Sequence, residues 1–416
     1  MLKNKMTSIR RFAIAAFAAT IALPGWADDC SQNNTSIRIL SNDFPALHAV
    51  NSRAQDCVGE GTEFVLNETS EHKNIQVPAL QANPAQYTVA VVANGSLVPL
   101  MNEGLVRTLD DLVAKHGASL KPSQLIKVNG KTVAIAFMAN SQHLFYRKDI
   151  LSEAGVMPPT TYEEVLTASK AIQEKGLMKY PLTLNTAVGW HLGQEFVNMY
   201  NGFGGNFFKP GSAEVSVNNE TGVATLEMLK SLVAFSNPDF LTFDGNVTNN
   251  LWSSGEAAIA IQWGSRADQM MGTKSIDVVK ENTVVAGMPT VNGGNTPAST
   301  LWWDGFTIAK NISDAEAEAS FIAMVSAIEP ALLEEHSNKA IWLLDGYTPG
   351  PGAVGVVENA DRGTPAYPML PYMGLLHGAL GNELSEFLQG KESAEQALAD
   401  IEVSYTQKAK EQGFLN

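Results

Sequence analysis

One stretch, from Ala134 to Tyr162, limits the fold of this chain more than any other. An apolar run through Phe137 gives way to the polar patch Asn140, Ser141 and Gln142, and a second strand-like run ends at Tyr146. A short helix beginning at Asp149 is expected to stop at Gly155, because glycine takes the left-handed cap without a Cβ clash. Pro158 and Pro159 forbid continuation. Thr160 and Thr161 then stand where a helix cap is needed, with Glu163 and Glu164 three residues on in capping-box register. Val165, Ala168, Ser169 and Ile172 follow at helical spacing, which predicts one buried face. Strand, turn, helix, helix in this order is α/β architecture.

The residues before this stretch alternate in the same way. Strands are predicted over 36–40, 63–66 and 87–92, separated by helix-compatible sequence, as in parallel βαβ units. Ligands of open α/β sheets bind beyond the carboxyl ends of strands, so the polar loops there supply candidate wall residues: Asn42 and Asp43, Asn67, and Asn94. Ordinary turn chemistry accounts for Asn and Asp equally well. Asn129-Gly130 predicts a tight hairpin turn leading into the Ala134 strand. Asn201 to Asn206 is glycine-rich but lacks the lysine and hydroxyl of a phosphate loop, which points to a structural role.

The chain opens with Lys3, Lys5, Arg10 and Arg11 and no acid, then an apolar run over 12–23, then small residues at Gly25 and Ala27. This pattern predicts a cleavable secretory signal over residues 1–27, too short for a permanent membrane anchor. It implies export to the periplasm. What remains is long enough for two lobes with a core each. Its net charge is more negative than the −15 of the whole chain, a surface that repels nucleic acid and anionic lipid. Cys30 and Cys57 are the 2 cysteines, and an even count in an exported chain is read as a bridge. Closing that loop contributes roughly 3 to 4 kcal/mol.

The ordered set Asn140, Tyr146, Lys148, Asp149, Ala154-Gly155 and Pro158-Pro159-Thr160-Thr161 resembles the interlobe crossing of extracellular solute-binding proteins of the carbohydrate-uptake type, the maltose-binding-protein superfamily of ABC importers. A second resemblance lies at residues 251–264, although Glu256 stands where lysine is common and the order Trp263-Gly264 is shifted. A third is at 299–308, where Trp302 and Trp303 replace small residues. The loop 346–351, with Tyr347, and the terminal helix from Ser393 are also similar to the family. The resemblance implies a type II periplasmic binding protein fold: two lobes, each a mostly parallel sheet flanked by helices. It places lobe I at 28–137 and 307–348 and lobe II at 138–306 and 349–416.

No catalytic constellation, metal-ligand spacing or cofactor motif is visible. The resemblance implies a monomeric binding protein that takes a small hydroxylated solute, a sugar, oligosaccharide or polyol, into an interlobe cleft and delivers it to membrane permease subunits. Aromatic faces suit the apolar faces of sugars, and Asp, Asn and Gln suit their hydroxyls. The expected ligand-binding residues are therefore Asn42, Asp43, Asn67, Asn94, Asn140, Gln142, Trp190, Trp263, Trp302, Trp303, Asp304 and Tyr347. Trp302 and Trp303 point to opposite faces of a strand, so at most one of them faces ligand. Core packing is an equally good account of each aromatic. Two alternatives remain open: a quaternary ammonium or phosphorylated solute, since tryptophans with nearby acids also suit a cation, and a secreted glycoside-acting enzyme using two carboxylates.

Overall fold

The computed structural model describes residues 30–272 and 274–416, so the expected leader at 1–27 lies outside the described residues. In chain order the strands are β1 (Ser36–Ser41), β2 (Glu63–Glu68), β3 (Val89–Ala93), β4 (Leu125–Val128), β5 (Lys131–Asn140), β6 (Gln142–Arg147), β7 (Leu182–Thr183), β8 (Ile259–Trp263), β9 (Thr283–Ala286), β10 (Trp302–Ile308) and β11 (Ile341–Trp342). They form two sheets, one for each lobe. The first is 7-stranded, in the order β11-β5-β10-β3-β1-β2 with β4 beside β5, and the second is 4-stranded, in the order β7-β8-β6-β9.

Period-two alternation gives the first sheet two buried faces. On β3, Val89 and Val91 join the core under the helices Pro45–Gln55 and Asp314–Ala327, with Ile39, Phe137, Phe306 and Phe321. Ala90 and Val92 turn the other way, onto Leu80, Leu97 and Leu100. In the second lobe Leu144, Ile259 and Ile261 pack against Phe196, Leu226, Leu380 and Tyr405, which come from helices spread over residues 190–411.

Both sheets are mixed rather than mostly parallel. β1 pairs in parallel with β2 and β3, but β10, β5, β11 and β4 enter antiparallel. The cause is local for β4 and β5, where Asn129 and Gly130 both take positive φ (50° and 75°) and make the expected hairpin. For β10 it is topological, because that strand returns from the other lobe. Three crossings join the lobes, between β5 and β6, between β9 and β10, and after β11. β5 belongs to the first sheet as far as Asn140, and β10 belongs to it from Trp302. Residues 138–140 and 302–306, assigned to the second lobe from sequence, therefore sit in the first sheet. The crossing strands run on until their last backbone pairs are used, and Ser141 makes the actual step.

The local signals of the crossing segment appear as expected. Gly155 caps its helix at φ 72°, and Thr161 and Glu164 form a reciprocal capping box on the helix Tyr162–Glu174. Ser393 caps the helix Ala394–Glu411, but Gln396 turns its amide to Asp400 instead of completing a box. Cys30 and Cys57 are disulfide-bonded. No helix among the described residues is long and apolar enough to cross a membrane.

Candidate functional site

A cleft of about 660 Å³ opens between the two sheets at the carboxyl ends of β1, β5 and β8. Both lobes wall it. Asn42 and Asp43 follow β1, Asn140 ends β5, and Trp302 and Asp304 come from β10, while Trp190, Trp263, Asp244 and Arg266 come from the second lobe. Asn140 ties the two lobes at the floor, donating to Ser265 Oγ (3.1 Å) and accepting from the Ser265 N–H (3.2 Å).

One end of the cleft is aromatic. Trp190 begins the helix Trp190–Gly202 directly after Gly189, whose φ of 96° suits glycine. Gly189 N–H donates to the Gly381 carbonyl at 3.0 Å, and any Cβ on Gly381 would lie 2.0 Å from the Gly189 carbonyl oxygen. This glycine–glycine approach lets the helix Met373–Leu388 slide His377 beneath Trp190, where the rings stack at 5.1 Å and 16°. His377 Nε2 donates to the Trp190 carbonyl (2.8 Å) and its Nδ1 accepts from Tyr367 Oη (2.9 Å), so the imidazole is the neutral tautomer protonated at Nε2. Burial lowers the His377 pKa to about 3.

Trp263 lies 6.0 Å from Trp190 at 27°, and Trp302 stands edge-on to both, 5.6 Å from Trp190 and 6.0 Å from Trp263. Trp302 itself stacks on Tyr367 at 4.1 Å. A buried chain of hydrogen bonds holds it in place. Trp302 Nε1 donates to Thr300 Oγ1 (2.9 Å), Thr300 donates to Asn198 Oδ1 (2.8 Å), and Asn198 Nδ2 donates to Gln142 Oε1 (2.8 Å). Gln142 in turn donates to Glu195 (2.9 Å), whose pKa burial raises to about 8.

Lys73, at the start of the helix His72–Gln81, reaches into this aromatic end with its Nζ 3.5 Å from the Trp190 ring centroid and 5.9 Å from that of Trp302. Burial lowers its pKa to about 7 and raises that of Asp304 to about 7, and the charge of each opposes the shift of the other. The other end of the cleft is polar. Arg266 follows β8, lies 5.7 Å over the Phe44 ring, and is held below its usual pKa by burial against the opposing charges of Asp244 and Asp43. Asp244 also caps the helix Gly245–Ser253 by accepting from the N–H groups of Asn246 and Val247, and Asp43 contacts His48 Nε2 at 2.8 Å.

Of the residues expected from sequence, Asn42, Asp43, Asn140, Trp190, Trp263, Trp302 and Asp304 line the cleft. The others lie elsewhere, each for a visible reason. Asn67 donates to Tyr87 Oη (2.9 Å) at the sheet edge. Asn94 accepts from the Trp303 N–H (2.9 Å) and is buried at a helix start. Gln142 belongs to the buried network under Trp302. Trp303 alternates to the opposite face of β10 and packs with Leu97 and Leu100. Tyr347 packs at the edge of the first-lobe core and lines a separate cavity of about 190 Å³. Lys73, Arg266, Asp244, Phe44 and Asn246 also line the cleft and were not singled out. Lys73 and Arg266 do follow the ends of strands already marked as cleft-facing, and that was the available signal. No group of three or more His, Cys, Asp or Glu gathers as a metal site among the described residues.

The profile of the bacterial extracellular solute-binding proteins matches residues 61–329. A probable ABC transporter-binding protein of Deinococcus radiodurans is 27% identical over 190 residues, a match that spans less than half of either protein, 44% of each. A mannitol-binding protein of Pseudomonas aeruginosa is 24% identical over 352 residues, covering 77% of this chain and 78% of that one. Among solved structures, an ABC transporter solute-binding protein of Agrobacterium radiobacter in complex with ribitol superposes with a TM-score of 0.80 at 19% identity, covering 91% of this chain and all of that one, and has the same type II periplasmic binding protein fold. With the profile spanning well over half of its length, the chain belongs to the bacterial extracellular solute-binding proteins.

Proposed function

We propose that this protein is the solute-capturing component of an ABC uptake system, exported to the periplasm through a cleaved leader. In this reading it works as a monomer that takes a small uncharged polyol or sugar into the cleft and passes it, chemically unaltered, to membrane permease subunits. The observation that carries the reading is the composition of the cleft wall, where tryptophan faces from both lobes meet hydroxyl acceptors (Asp43, Asp304, Asn140) and a donor fork (Arg266) within one cavity. Hydrogen-bonding acceptors and donors on both walls match the hydroxyl groups of such a solute, because a site built on hydrogen bonds rejects analogues that lack them. Solute bridging both walls favours the closed arrangement of the lobes.

The ribitol-bound and mannitol-binding relatives name the first solutes to try. A thermal-shift series over ribitol, mannitol, maltose and glycerol phosphate tests the reading, since solute at a hundredfold excess over its Kd stabilises by about 2.7 kcal/mol. A polyol or a sugar is expected to give the largest shift. Stabilisation by the phosphorylated compound alone overturns the choice of solute class, and recovery of a transformed solute after incubation overturns binding without chemistry.

A further inference from the structure

The aromatic end of the cleft has the walls of a cation seat, and the protein fills that seat itself. Trp190 presents one face to the cleft because His377 covers the other, Trp302 stands across it at 69°, and Asp304 supplies negative charge nearby. Aromatic faces converging with an acid behind them are the chemistry that recognises ammonium ions. The occupant is Lys73 Nζ, 3.5 Å from the Trp190 centroid, well inside the ~6 Å reach of such an interaction. Lys73 comes from the first lobe and Trp190 from the second, so the contact spans the cleft. No described residue makes an ion pair with this ammonium, which leaves the ring face as its closest partner.

We infer that Lys73 is a specificity-determining residue: its ammonium occupies the seat formed by Trp190 and Trp302, excludes cationic solutes from the cleft, and reserves the cavity for uncharged ones. Two effects act together. A second cation would have to displace the first from the ring, and it would meet like charge at short range in a partly desolvated site. Truncating the side chain to alanine would vacate the seat while leaving its rings and Asp304 in place. The inference rests on the cleft being the solute site, as proposed above.

The test compares wild type with Lys73→Ala and the double variant Lys73→Ala/Trp190→Ala, using tetramethylammonium chloride as the probe against sodium chloride of equal ionic strength. Tryptophan fluorescence and thermal shift are the readouts. Wild type is expected to show no saturable response, and Lys73→Ala to bind at least roughly thirtyfold more tightly, the factor of a desolvated cation–π contact. The double variant is expected to lose that binding. A folded Lys73→Ala protein that fails to bind overturns the inference, as does a wild type that binds equally well.

A measurement on wild type covers the case in which the variants do not fold. After reductive methylation with labelled formaldehyde, the Lys73 methyl protons should carry a larger upfield ring-current shift than those of Lys230 and Lys179, whose Nζ atoms lie 4.3 Å from the Phe387 centroid and 4.9 Å from the Tyr180 centroid, and the absence of any lysine shifted beyond that pair overturns the inference. A polyol arm in the same assay scores the proposed function separately. Absence of polyol and sugar binding in wild type counts against that reading, and the tetramethylammonium arm still decides this one.

Discussion

The two ends of the cleft use opposite means to hold polar groups in a partly dry cavity. At the aromatic end, burial opposes the charges of Lys73 and Asp304 while each charge supports the other, and the ammonium rests on a tryptophan face without an ion pair. At the polar end, Arg266 keeps its charge between Asp43 and Asp244, and both acids have further partners, His48 for Asp43 and two helix N–H groups for Asp244. The contrast teaches that the aromatic end is a packed surface whose shape selects, whereas the polar end is a set of directional groups whose hydrogen bonds select.

If the comparison holds, removing a wall of the aromatic end should cost folding as well as binding. Trp302→Ala deletes a buried ring stacked on Tyr367 and anchored to Thr300, so denaturant unfolding should lose about 3 to 5 kcal/mol and solute titration should show little residual binding. A variant as stable as wild type would mean that the ring is not a packed wall. At the polar end, Arg266→Met should weaken solute binding by roughly ten- to a hundredfold in calorimetric titration, the range for a hydrogen bond to a charged group. The solute-free protein should remain folded. Unchanged affinity would break the assignment of directional recognition to this end.

The aromatic end also carries a pH signature. Burial lowers the pKa of His72 to about 3, of His377 to about 3 and of His191 to about 4, from an ordinary 6.5. Below pH 6.5 the unfolded chain takes up protons that the folded chain refuses, so their stabilising contribution is complete above that pH and is lost as pH falls toward the folded values. Each contributes a slope of up to about 1.4 kcal/mol per pH unit in that window. His377→Asn should remove one such increment from the slope measured between pH 6 and pH 4.5, and an unchanged slope would refute the neutral imidazole under Trp190. The smallest expected effect is that of Trp303→Phe. This ring packs on the far side of β10, so the apparent Tm should fall by a few degrees while solute affinity stays within about twofold.

Much of the scaffold was legible because its causes are local. Asn129-Gly130 makes the hairpin it predicts, since both residues tolerate positive φ. Thr161 with Glu164, Gly155 and Ser393 stop and start helices through contacts three or four residues apart. Alternation also established that one tryptophan of the pair Trp302-Trp303 must face away from the cleft, but not which one. That choice depends on Tyr367 and Thr300 receiving Trp302 and on the first-lobe helices receiving Trp303. Gln142 was misplaced for the same reason, since its partners Asn198 and Glu195 lie in a helix more than fifty residues away. Lys73 and Arg266 carried no local mark beyond following cleft-facing strands.

Sequence alone determined the α/β class, the capped helices, the tight turns and the pairing of the 2 cysteines, because propensity, capping and chain closure act over short stretches or through counting. Tertiary structure alone decided the strand directions, the points at which the chain steps between lobes, and the membership of the cleft. Those depend on surfaces far apart in the chain meeting at a few ångströms. Lys73 reaching Trp190 shows the reason most clearly, because neither residue's neighbours in sequence contain any information about the other.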